Sequence, residues 1–291
     1  MTSVWFDALR DGLAVAGYRS IADSLTTGDV RVAFFGDLFR PAGAMAGQDP
    51  PYTYRDIGAG VERELLTDWY EAAVVADPAL APAPGSMAPV PVPVQVMLDR
   101  LLRFRGFAEF TERALVGSLK QVSRFLTDAA VKERVLARFG DELGPDTWIV
   151  VGHSLGSVVA YEYLCRYRPR QVRLLVTMGS PLGIPAVVFD KLTPLPVNGV
   201  GCWPGTVPRW VNVADRNDVV PLRKQLAALF AASPGGVRVD DQPVDNGWTA
   251  HAADRYLNSE PTGRAVGRCL AARSPTRPAP PPRAPRPTPY V

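Results

Sequence analysis

Gly152-His153-Ser154-Leu155-Gly156 sets a serine hydroxyl between two glycines. The run before it, Thr147-Trp148-Ile149-Val150-Val151, is apolar and rich in β-branched residues. The segment after it, Ser157 to Tyr167, has helical periodicity. A strand, a G-x-S-x-G turn and a helix make a nucleophile elbow, which presents a serine hydroxyl clear of the sheet. Glycine on either side removes the Cβ atoms that so tight a turn excludes. The pentapeptide alone carries little weight, because a Gly-rich strand-to-helix turn has the same letters. The context carries the reading.

A nucleophilic serine needs a base, and the base needs an orienting acid. The chain has two histidines. His153 adjoins the serine, points away from it in an elbow, and reads as a packed neighbour of the turn. His251, in Trp248-Thr249-Ala250-His251-Ala252-Ala253-Asp254, is then the imidazole left to serve as base. For the acid, the run Trp210 to Ala214 leads into Asp215-Arg216-Asn217-Asp218-Val219-Val220-Pro221. Asp218 is preferred: the chain re-enters apolar packing directly after it. Asp215 reads as a turn residue bonding its own backbone, and Asp245 is a third candidate. Chain order Ser154, Asp218, His251 is one that elbow enzymes use. The Leu155 N–H, next after the nucleophile, is the first oxyanion donor. The three cysteines, Cys165, Cys202 and Cys269, are scattered, without metal-ligand spacing and without a disulfide framework. Neither a metal nor an organic cofactor is expected.

The elements that must hold these groups follow from periodicity. Residues 5–16 read as a helix ending at Gly17, and Val30 to Phe35 as a strand stopped by Gly36-Asp37. Helices are expected through Val61–Val74, Leu115–Leu126 and Val131–Phe139. Further strands are expected at Val172–Met178 and Trp210–Ala214, and a short last one at Val237–Val239. A terminal helix spans Thr262–Ala272. Alternating strands and helices predict an α/β fold, a mostly parallel sheet with helices on both faces. Sites in such sheets lie at the carboxyl ends of strands.

Residues 1–272 read as one domain, with a helical cap inserted at about 41–140 and a Pro-rich linker at 82–93. Residues 273–291 read as a disordered Pro/Arg-rich tail. The chain of 291 residues is 47% hydrophobic and 21% charged, as in globular proteins. Its formal net charge of +3 is concentrated in Arg273, Arg277, Arg283 and Arg286, so the body is near neutral and no nucleic-acid surface is implied. No membrane span and no signal peptide are read, and a reducing cytoplasm is the simplest compartment.

With Phe34-Phe35-Gly36-Asp37-Leu38-Phe39-Arg40-Pro41, Gly152 to Ser157, Gly179-Ser180-Pro181-Leu182, Trp210 to Asp218, and His251 with Tyr256-Leu257, the chain resembles the α/β-hydrolase superfamily. More narrowly, it is similar to bacterial, actinobacterial-type lipase/esterase-like serine hydrolases. The resemblance implies a serine hydrolase acting on a small acyl substrate: a carboxylic ester, thioester or amide. The alternatives are an acyltransferase or thioesterase of biosynthesis, or a non-catalytic binding protein of the same fold. One departure stands out. In that family a strand ending in His-Gly precedes the first helix and supplies an oxyanion N–H. Here no such strand is read, and the sheet is expected to begin with Val30–Phe35. The second donor has no evident source: the Gly36-Asp37-Leu38 loop lies at a strand end but reads as the loop of the following strand.

Overall fold

The computed structural model describes residues 2–40, 50–82, 92–107 and 110–273. The interior of the Pro-rich linker, the segment 41–49 and the Pro/Arg-rich tail lie outside the described residues. Helices α1 (Thr2–Val15), α2 (Arg19–Ser24), α3 (Val61–Ala76), α4 (Val94–Leu101), α5 (Glu112–Thr127) and α6 (Ala129–Asp141) come first. Then β1 (Ile149–His153), α7 (Leu155–Tyr167), β2 (Leu174–Met178), β3 (Arg209–Asp215) and β4 (Asp240–Val244) alternate or follow in turn. Helices α8 (Ala253–Leu257) and α9 (Glu260–Arg273) close the fold.

The sheet is parallel throughout, in the order β1-β2-β3-β4. Strand β2, Leu-Leu-Val-Thr-Met, is buried along its whole length, the pattern of a parallel strand covered on both faces. The pleat sends alternate side chains to two cores. Leu174, Val176, Met178, Val211 and Val213 pack with α1, α8 and α9 in the smaller one. Val150, Leu175 and Trp210 join the larger one, with α3 to α7. Each fully buried Leu, Val or Phe contributes about 1.5–3 kcal/mol of transfer free energy. Among the described residues no helix is long and apolar enough to cross a membrane.

On the α7 side the sheet face carries a polar row. Thr177, Asn212 and Asp241 are register partners on successive strands. Trp210 Nε1 donates to Thr177 at 3.0 Å, Thr177 to Asn212 at 2.9 Å, and Asn212 Nδ2 to Asp241 at 2.9 Å. The Asp241 carboxylate also takes the N–H groups of Leu226 and Ala227. A slip of one residue would break the whole row, so it fixes the register.

Two expectations need correction, and one helix was not expected. Val30–Phe35 is not a strand: among the described residues β1 pairs only with β2, so the sheet begins at the elbow strand. The segment forms no ladder, and its Phe34 carbonyl accepts from Arg138. The last strand is Asp240–Val244, just beyond Val237–Val239, and it tolerates Pro243 because it is an edge strand. Helix α4, absent from the periodicity reading, forms next to the Pro-rich stretch and buries Met97, Leu98 and Leu101.

Candidate active site

Strand β1 passes into α7 through Ser154, which holds φ 51° and ψ −129°, a positive-φ conformation costly for any residue with a Cβ. Two contacts hold it there. The Ser154 N–H donates to the Met178 carbonyl at 3.0 Å, extending the β1–β2 ladder. The Ser154 carbonyl accepts from the Ser157 hydroxyl at 2.6 Å, and Ser157 meets the Ser180 hydroxyl at 2.7 Å. Only one flanking glycine is enforced by the protein around it. A Cβ on Gly152 would lie 2.6 Å from Ser157 Cα, whereas one on Gly156 would meet nothing within 4 Å. The expectation that both glycines relieve clashes therefore holds for Gly152 alone. Leu155 opens α7, and the first N–H groups of a helix have no acceptor within it.

The loop after β3 is ordered by its carboxylates. Asp215, fully buried, accepts the N–H groups of Asn217 at 2.6 Å, Asp218 at 3.1 Å and Asn246. Asp218, also fully buried, faces His251: Nδ1 lies 2.7 Å from its Oδ2. The same oxygen accepts from the Tyr256 hydroxyl at 2.7 Å, and Oδ1 accepts from the Val220 N–H at 2.9 Å. Val219 and Val220 are buried behind it. Burial pushes the Asp218 carboxyl up. His251 and the hydrogen bonds from His251, Tyr256 and Val220 outweigh that and hold it below the usual carboxylate range. Burial raises Asp215 instead. Asp245 caps its own turn at Gly247. Of the three acids, Asp218 is the one brought to the imidazole.

Four more groups surround this pair: His153, expected only as a packed neighbour of the turn; Tyr256 and Gly179, which had entered only through the resemblance; and Phe110, which no motif marked. His153 packs its ring 4.6 Å from that of His251, and its Nε2 lies 2.8 Å from the His251 carbonyl. Its pKa is pushed down to about 3, by burial first and then by His251, so the ring is neutral and donates there. Tyr256 accepts from the Asp215 N–H at 3.0 Å while donating to Asp218, tying the two acids together. Gly179 follows β2 with φ +51°. A Cβ there would lie 3.0 Å from Asp218 Oδ2 and 3.1 Å from His251 Nδ1. Phe110 stacks on the His251 ring at 6.0 Å, and behind it lie Phe107 and Trp69, whose indole N–H bonds the Val220 carbonyl. The spacing of His251 and Tyr256, one helical turn and a residue apart, was the available signal for the tyrosine.

The register shows how these parts meet. His153 pairs with Met178, so Ser154 and Gly179 follow side by side at the carboxyl ends of β1 and β2. Gly179 is the residue against which His251 and Asp218 rest. The Gly36–Phe39 segment is a short 3₁₀ helix, anchored by Arg138 on Asp37 and by Arg124 on the Phe39 carbonyl. Among the described residues no cluster of three or more His, Cys, Asp or Glu could hold a metal ion.

Searches of curated proteins and of solved structures found no match. A family model described as the alpha/beta hydrolase fold matches residues 111–259, from the cap of α5 through the elbow, the acid loop and His251 to the start of α9. With that match over half the chain and the parallel sheet that carries it, the chain belongs to the α/β-hydrolase fold family.

Proposed function

We propose that the protein is a serine hydrolase that cleaves a carboxylic ester, thioester or amide through an acyl-enzyme on Ser154. The observation that carries this reading is the buried Asp218–His251 contact of 2.7 Å, at the same sheet end as the strained Ser154. With Nδ1 bound to Asp218, His251 presents Nε2 as the basic nitrogen. It takes the Ser154 proton as the oxygen attacks the acyl carbon, and Asp218 stabilises the imidazolium. The Leu155 N–H stabilises the oxyanion. The imidazolium then protonates the leaving group. Water, activated in turn by His251, releases the acid and restores the serine. These steps need no metal or organic cofactor. Residues 1–272 act as one hydrolase domain, and the insertion at 41–140 acts as a cap, a role supported by Phe110, Phe107 and Trp69 over the acid–base pair. A fluorophosphonate probe should label the purified protein at Ser154. Ser154→Ala should lose both labelling and hydrolysis of a p-nitrophenyl ester with its circular dichroism intact. Equal labelling of the mutant would overturn the assignment.

A further inference from the structure

Helix α7 carries a second pair of reactive groups, well along the helix from the elbow. Tyr161 and Cys165, four residues apart, share one helix face. That face meets the backbone of the segment leading from β2 to β3. The Tyr161 hydroxyl donates to the Cys202 carbonyl at 3.0 Å and lies 3.3 Å from Cys202 Sγ. Cys165 Sγ lies 3.3 Å from Cys202 Sγ. Farther along the segment, a Cβ on Gly205 would lie 2.4 Å from the Leu164 carbonyl oxygen. The segment is thus pressed onto α7 at several points, and the two sulfurs are held together by contacts that do not depend on them. Both cysteines are free thiols. Cys165 is buried and Cys202 half-buried, so a solute reaches the pair through Cys202.

We propose that Cys165 and Cys202 are a redox pair that closes to a reversible disulfide, stapling α7 to the β2–β3 connection. A disulfide needs the sulfurs at about 2.05 Å, so closure asks for roughly 1.2 Å of approach, within reach of small side-chain rotations. The environment favours reaction at Cys202. The Cys165 sulfur and the Tyr161 hydroxyl each lie 3.3 Å from its sulfur, and Arg168 adds positive charge. Together they outweigh burial and hold the Cys202 thiol below its ordinary value, while the Cys165 thiol is raised. With a peroxide as oxidant, the Cys202 thiolate attacks one peroxide oxygen, becomes a sulfenic acid and releases hydroxide, which takes up a proton as water. Cys165 sulfur then attacks Cys202 sulfur. The S–O bond breaks, and the hydroxyl leaves as water with the Cys165 proton. Two thiols and one hydrogen peroxide give one disulfide and two waters. A small-molecule dithiol reverses the process by exchange.

The site is independent of the acyl chemistry at Ser154. Cys269 is an internal control: it packs in the smaller core on the opposite face of the sheet. The test treats the full chain with stoichiometric hydrogen peroxide, alkylates remaining thiols under denaturing conditions, and maps the peptides by mass. The expected result is a 165–202 cross-link with the loss of two hydrogens, Cys269 still alkylated, and full reversal by dithiothreitol. Because the bridge closes a loop that contains β2, the oxidised form should melt about 5 °C higher than the reduced form. Cys202→Ser, at the half-exposed position, should show neither cross-link nor shift while melting close to the reduced parent. Full alkylation of both thiols after peroxide, sulfinic acid on Cys202 without a cross-link, a bridge through Cys269, or an oxidised form that melts no higher would each overturn the proposal.

Discussion

At the scale of single residues, two aspartates three positions apart are both fully buried and do different work. Asp215 spends its oxygens on backbone N–H groups, while Asp218 spends one oxygen on His251 and Tyr256. Their amide variants should separate accordingly. Asp218→Asn presents an N–H or a flipped oxygen to the imidazole and favours the wrong tautomer. We expect kcat to fall about 10³–10⁴-fold, with melting changed far less. Asp215→Asn sets an NH₂ group against the Asn246 N–H, so its main effect should be on stability, about 1–3 kcal/mol, with a milder loss of kcat. Parallel ester kinetics and thermal melts decide this, and equal kcat losses would argue against the separate roles. The choice of Asp218 as the partner of His251 rested on Val219-Val220-Pro221, which turns the chain back into the core after it. His153 was legible only as a packed neighbour. Its hold on the His251 carbonyl depends on two segments 98 positions apart, and nothing local in the sequence encodes that meeting.

Among the elements, legibility followed apolar patterning. Strands β2 and β3 read cleanly because Leu174–Met178 and Arg209–Asp215 are nearly continuous buried runs. Strand β4 did not, since Asp240-Asp241-Gln242-Pro243 lacks that signature and joins the sheet through Asp241, whose carboxylate satisfies neighbouring loop N–H groups. Val30–Phe35 has strand-like residues but no strand beside it among the described residues, and β propensity without pairing makes no strand. Helix α7 brings a different kind of information. Its Glu162 is buried against Lys132 of α6, at 2.9 Å, and accepts the Thr193 N–H, also at 2.9 Å. Burial raises its pKa in the folded state, against the pull of Lys132. An acid with a raised folded pKa adds stability that is fully present below its unfolded pKa and is lost as pH rises through the folded value. Glu162→Gln, which keeps an acceptor for Thr193, removes that dependence. The melting temperature of the parent relative to the variant should therefore decline as pH rises from about 4.5 toward neutrality. A difference constant with pH, or one growing with pH, would contradict this.

For the whole molecule, the sheet divides the interior unequally. Helix α7, which follows Ser154, stands in the large core with α3 to α6, whereas α1, α8 and α9 cover the other face with a smaller one. The smaller layer is knit by close backbone approach. A Cβ on Gly263 of α9 would lie 1.9 Å from the Gly12 carbonyl oxygen of α1, and one on Gly12 would lie 2.3 Å from the Leu257 carbonyl oxygen of α8. Gly263→Ala must push α1 and α9 apart. We expect a loss of about 1–3 kcal/mol in chemical denaturation, and an unchanged midpoint would show that the layer can shift freely. The unequal cores also bear on how the proposed hydrolase would wear out. His251 enters the site from the segment that runs into α8, so its position is leased from the thinner half, while Ser154 belongs to the thicker one. Proteins open in parts, the least-contacted unit first. A molecule whose α1–α8–α9 layer has briefly lifted would keep its sheet, its elbow and most of its fluorescence from buried tryptophan, yet hold a serine with no base. In the proposed hydrolase, warming would silence turnover before it melts the fold, and cooling would restore it. Amide hydrogens of α1 and α9 would exchange on the timescale of that silence, well ahead of those in α7.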